Sequence, residues 1–140
     1  MDKERDTEKI AEEIVRIVIS VGSDFLPGYS FHFSSVGFDE AIHLSYFVTP
    51  PISENVEGKR GDFFISADAY DDIGNQYTFT GGAHGTSLSA PCTNGELSFS
   101  PLPKDGAERI SFTVTVLKGQ MEVREEFAVP LEGYWEVALS

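Results

Sequence analysis

Two aspartates, a glycine and an asparagine fall within five positions of AYDDIGNQYTF, residues 69–79. Oxygen donors so crowded either grip a calcium ion or turn the chain. Calcium takes about six oxygen ligands, and the distal bidentate glutamate of an EF-hand loop is absent. Turning accounts for every residue. A loop of Asp72, Ile73 and Gly74, closed by Asp71 and Asn75, is a type I turn followed by a left-handed position. Aspartate suits its start and glycine its left-handed site. That register sets Ala69 opposite Tyr77 and Ala67 opposite Phe79 on one face, with Asp68 and Ser66 on the other.

The three histidines are the next candidates. A hairpin turning at Gly37-Phe38 places His32 and His43 opposite one another on a polar face, within reach of one metal ion. A catalytic zinc needs three protein ligands, and Asp39 and Glu40 are offset toward the turn. His84 stands in GGAHG, a loop-like segment without a GxGxxG pattern, a Walker lysine or a following helix. Cys92, the single cysteine, lies among small residues with no basic neighbour to activate it and excludes an internal disulfide. No GxSxG elbow is present. Asp68, Asp71 and Asp72, the carboxylates nearest to a glycosidase pair, have turn and strand roles instead. The expectation is therefore no enzyme, no metal site and no cofactor.

What would carry any site is β-structure. In ERISFTVTV, Ile110, Phe112, Val114 and Val116 alternate with polar residues, and MEVREEFAV alternates likewise. A two-residue Lys118-Gly119 loop joins them, setting Val116 opposite Met121, Val114 opposite Val123 and Ile110 opposite Phe127, with Glu125 a misfit against Phe112. The Gly37-Phe38 turn sets Phe33 opposite Ile42, Phe31 opposite Leu44 and Tyr29 opposite Tyr46. GELSFS reads as a short strand, PLPKDG as a proline-broken connection, and GYWEVALS as a closing strand alternating Trp135, Val137 and Leu139. Residues 1–13 form a charged segment, helical or frayed, and residues 14–140 one domain whose first strand begins at Ile14. Residues 50–62 and 81–95 read as two long polar connections, of the length that tends to serve function.

About seven to eight short strands joined by hairpins predict an all-β, two-sheet antiparallel sandwich, with a jelly roll or small barrel as the alternative. Helices for parallel crossovers are lacking. The order of YDDIGNQY, a glycine-rich loop, GELSFSPLP and an alternating strand, over residues 63–116, resembles immunoglobulin-like sandwich domains found in many uncharacterised bacterial proteins. No Cys–Trp–Cys pattern accompanies it. The resemblance implies an adaptor, envelope or recognition module and supplies no catalytic set.

Charge narrows the partners. Ten Lys and Arg against 23 Asp and Glu leave a formal charge of -13. Such a balance repels nucleic acid and anionic membrane surfaces and favours a basic protein partner. The expected function is a non-catalytic protein-interaction module acting through long loops and a sheet edge. Glu54, Glu57, His84, Tyr134 and Trp135 are its candidate binding residues, while Asp71, Asp72 and Glu96 add to the acidic field. A small hydrolase of glycans or peptides is one rival. A carbohydrate-binding module, with Tyr134 and Trp135 exposed on one face, is another. The opening is too short in apolar residues for a signal peptide or membrane span, which places the chain, taken as complete, in the cytoplasm.

Overall fold

The structure, a computed structural model, describes residues 15–51, 63–86 and 92–138. Eight strands follow in order: β1 (Val15–Ser23), β2 (Ser30–Phe38), β3 (Ile42–Thr49), β4 (Phe63–Asp71), β5 (Gln76–Thr86), β6 (Thr93–Ser100), β7 (Arg109–Lys118) and β8 (Met121–Pro130). A short helix, α1 (Glu132–Ala138), ends the described chain. The strands form one antiparallel sheet in the order β1-β2-β3-β6-β5-β4-β7-β8. Its outer strands β1 and β8 approach one another, so the sheet nearly closes into a barrel.

This corrects the expected two-sheet sandwich. Alternating faces and hairpins serve either architecture. The decision lies in the β4–β5 hairpin, where Ala69 pairs with Tyr77 and Tyr70 with Gln76, keeping the sheet continuous. Irregularities between Val18 and Val21, Phe33 and Ser35, and Phe79 and Gly81 accompany its curl. Each extra residue bends its strand and raises the local twist, which is how a flat sheet becomes a curved one. The described helix is C-terminal, and residues 1–14, including the expected helical opening, lie outside the described residues.

The turn at AYDDIGNQYTF is as the sequence implies. Asp71 N–H bonds the Asn75 carbonyl at 2.9 Å, and Gly74 takes the left-handed conformation at φ 94°. Registers elsewhere differ. In β7–β8 the faces agree, but Val116 pairs with Val123, Val114 with Glu125 and Phe112 with Phe127, because Gly119-Gln120 makes the turn. In β2–β3, Phe38 pairs with Ile42 and Val36 with Leu44; beyond a bulge at Ser34, Phe33 pairs with Tyr46 and Phe31 with Val48. The bulge moves the buried set from Phe31 and Phe33 to Val36 and Phe38, so all four face the core. The turn itself is built by Asp39, whose carboxylate accepts the N–H groups of Glu40 and Ala41. This is an Asx-type turn rather than the glycine-led one expected.

Two segments change type. GGAHGT is strand, so β5 runs on to Thr86 and shortens the second connection. GYWEVALS forms α1 up to Ala138 instead of a closing strand. Leu131, Tyr134 and Trp135 share helical spacing, and they are buried, buried and half-buried, whereas Val137 is 55% exposed. The apolar face has a period of 3.6, and only a short sample hides it.

The core is aromatic. A chain of ring contacts runs Phe79–Phe99 at 5.6 Å, Phe99–Phe112 at 5.3 Å, Phe112–Phe127 at 5.7 Å and Phe127–Phe33 at 4.8 Å. It links five strands across the interior. Each buried phenylalanine contributes about 1.5–3 kcal/mol through burial, before edge and offset ring contacts add their share.

Gly95 tests the packing. It pairs with Tyr46 on β3 and His84 on β5, and a Cβ there would stand 2.1 Å from the Tyr46 ring. Tyr46 is 3% exposed and has nowhere to retreat. Gly95→Ala is expected to destabilise the fold by about 2–3 kcal/mol through overpacking. The check is a lower urea midpoint at unchanged m value.

Candidate functional site

A cleft of about 680 Å³ lies where the start of β7, the end of β8 and α1 meet, lined by Glu108, Arg109, Pro130, Glu132, Trp135 and Glu136. Backbone bonds assemble it. Leu131 N–H donates to the Glu108 carbonyl at 2.8 Å, and Trp135 N–H to the Leu131 carbonyl at 3.0 Å. The Trp135 indole N–H donates to the Ala107 carbonyl, which holds the ring against the wall while its apolar body lines the cleft. Tyr134 packs beneath, its ring 4.5 Å from Phe38. Burial, with the nearby charge of Asp105, pushes the Tyr134 phenol upward.

The DDIG turn steadies the same corner. Asp72 accepts the N–H of Glu108 at 2.9 Å and of Arg109 at 3.3 Å. Its carboxyl is held below the usual range, chiefly by the Glu108 N–H. Asp71 looks inward. It is 4% exposed and accepts from Ile73 N–H, Asn75 N–H, the Asn75 amide and the Tyr77 hydroxyl. Tyr77 in turn accepts the Lys104 N–H at 2.9 Å. The two adjacent aspartates thus have separate tasks, one forming the turn and one tying it to the cleft.

Three carboxylates and one guanidinium leave the cleft walls negative, beside an indole and a proline. Such a surface accepts an ammonium or guanidinium group by charge-assisted hydrogen bonds and by contact with the ring face.

A second polar cluster joins β3 to β6. His43 Nε2 lies 2.8 Å from an Asp39 carboxylate oxygen, and Nδ1 lies 2.8 Å from Ser98 Oγ. The order Asp–His–Ser resembles a hydrolase relay. Yet Glu96 Oε1 stands 3.3 Å from the same Nδ1. A carboxylate there favours a proton on Nδ1, the atom that would have to accept one from Ser98. The cluster works better as a clamp, its ring held between Asp39 on one side and Ser98 and Glu96 on the other. Burial opposes ionisation of Asp39, but the Ala41 N–H, the His43 ring and the Glu40 N–H together hold its carboxyl below the usual range.

The expected site residues disperse. Trp135 lines the cleft, and Tyr134 is buried below it, so the two make no exposed platform. His84 lies in β5 opposite Gly95. Glu54 and Glu57 lie outside the described residues. His32 pairs with Phe47, their rings 4.8 Å apart, and His43 pairs with Gly37, so the histidines are not opposite one another. The bulge and the shifted turn separate them. Among the described residues no group of three or more His, Cys, Asp and Glu could hold a metal ion, and no helix is long and apolar enough to cross a membrane. Glu108, Arg109, Glu132 and Glu136 were not apparent as site residues. The helical spacing of Leu131, Tyr134 and Trp135 is the signal that would have placed Glu132 and Glu136 one turn apart on the flank beside Trp135.

This fold and cleft define an all-β domain with one nearly closed sheet. It is similar to a solved crystal structure of a conserved domain protein from Bacillus anthracis, with 19% identity, a TM-score of 0.56, 86% of this chain covered and 50% of that one. The chain thus spans about half the length of that structure, and the likeness concerns the fold alone. No family model matches the chain, and no curated protein matches it.

Proposed function

We propose that this chain is a non-catalytic recognition module that takes a basic segment of a protein partner into the cleft beside α1. The observation that supports this reading is the conjunction of the Trp135 ring with Glu108, Glu132 and Glu136 in one cleft of about 680 Å³. A lysine or arginine side chain would lay its stem along Trp135 and Pro130 and bring its charged head to the glutamates. The formal charge of -13 steers such a segment inward from a distance. This reading moves the contact from the long connections and a sheet edge to the cleft, because the two outer strands face each other.

Trp135 is the only tryptophan, so its emission reports on the cleft directly. Titration with an arginine- and lysine-rich peptide is expected to give a saturable emission change. Affinity should fall about tenfold in the Glu132→Gln, Glu136→Gln double variant, and steeply as salt rises from about 50 to 300 mM. Emission indifferent to the peptide, or a response untouched by both variant and salt, would remove the support for this reading.

A further inference from the structure

We infer that the outer face of β4 and β7 carries a second binding groove, of about 350 Å³, for a neutral saccharide. Asp68, Tyr70, Gln76 and Thr113 supply its functional side chains. Two rows of strand pairing bring them together: Tyr70 beside Gln76 across β4–β5, and Asp68 beside Thr113, with Glu126 next along the row on β8.

Glu126 fixes the geometry. Its Oε2 accepts the Tyr70 hydroxyl and, at 3.1 Å, the Thr113 hydroxyl. The Tyr70 ring is therefore held in place while the residue stays 37% exposed. The Asp68 carboxylate and the Gln76 amide bond to no other described residue, so both are available to a ligand. A planar acid, a planar amide and a hydroxyl beside a fixed aromatic ring match the chemistry of a sugar. Vicinal hydroxyls donate to the carboxylate in a bidentate pair and exchange hydrogen bonds with the amide, and the C–H face of a pyranose lies on the ring. Among the described residues no lysine or arginine lines the groove, while Asp68 and Glu126 make it negative, so phosphate, sulfate and uronate groups are disfavoured. The volume sits at the low end of small-ligand pockets, which suits one or two sugar rings.

The groove involves none of the α1 cleft side chains, so the two readings fail separately. The test records amide spectra of the labelled full chain with cellotriose, xylotriose, maltotriose, tri-N-acetylchitotriose and trigalacturonate at up to about 10 mM, the range of weak sugar binding. At least one neutral trisaccharide is expected to shift the amides of Asp68, Tyr70, Gln76 and Thr113. Tyr70→Ala and Gln76→Ala should each weaken that binding about tenfold at unchanged melting temperature, and Glu132→Gln should leave it intact. The inference is overturned if no neutral member shifts those amides, if the shifts persist in both variants, or if trigalacturonate binds as well as the neutral sugars.

Discussion

Phe112→Ala is expected to cost about 3–5 kcal/mol, among the largest losses available to a single change in this chain. Phe112 is fully buried and stands in the middle of the ring chain, touching Phe99 on β6 and Phe127 on β8. Deleting it removes two ring contacts at once and leaves a void that its neighbours cannot fill, because they are themselves held by Phe79 and Phe33. Phe112→Leu keeps most of the volume and should lose appreciably less. Urea unfolding of both variants gives the comparison. If alanine and leucine cost the same, the loss is not a matter of cavity, and the ring chain does not bear on stability as described.

Asp71→Ala is the second large effect, expected at about 3 kcal/mol. The carboxylate gathers four donors in a buried position, and alanine would leave the Ile73 and Asn75 N–H groups and the Tyr77 hydroxyl without it. Burial pushes the Asp71 carboxyl up, but the Asn75 amide and N–H, the Tyr77 hydroxyl and the Ile73 N–H outweigh it, and the carboxyl lies below its ordinary value. For burial and the Asp71 charge, the Tyr77 phenol is pushed up to about 12. A carboxyl depressed by folding adds stability that is complete above its unfolded value, about 3.9, and is lost as pH falls through the folded one. Wild-type stability should therefore decline as pH drops below about 5, and Asp71→Asn should flatten that decline. Denaturant midpoints between pH 7 and pH 3 decide it, and equal slopes in the two proteins would deny Asp71 this role.

The Asp71–Asn75 turn was legible because its chemistry is local. An aspartate at the start and a glycine at the left-handed position leave one good loop, and the register follows. The β2–β3 hairpin was not, since two local signals competed. Gly37 looked like a turn glycine, but Asp39 builds the turn, and the bulge at Ser34 then reverses which residues face inward. Period-two alternation cannot announce an inserted residue. The β7–β8 faces were legible and their alignment was not, because a slip of two residues preserves every face. Closure of the sheet was hidden for a related reason: inward and outward residues alternate equally in a sandwich and a barrel. Trp135 stood out as an aromatic candidate. Its glutamate partners did not, because the cleft gathers residues from before β7, the end of β8 and α1, and α1 itself read as a strand.

The meeting of β1 and β8 has a consequence for the order of folding. Every neighbouring pair except β3–β6 and β4–β7 is a hairpin between consecutive strands or lies one connection away in sequence, so most of the sheet grows from local pairings. The seam joins the first strand to the last, and its contacts form only when six strands already stand between them. Interactions at such a place are expected to form after the transition state. Strengthening them would slow the opening of the domain while leaving its rate of formation almost unchanged. The longevity of the folded molecule is therefore adjustable at the seam, independently of how fast it is made.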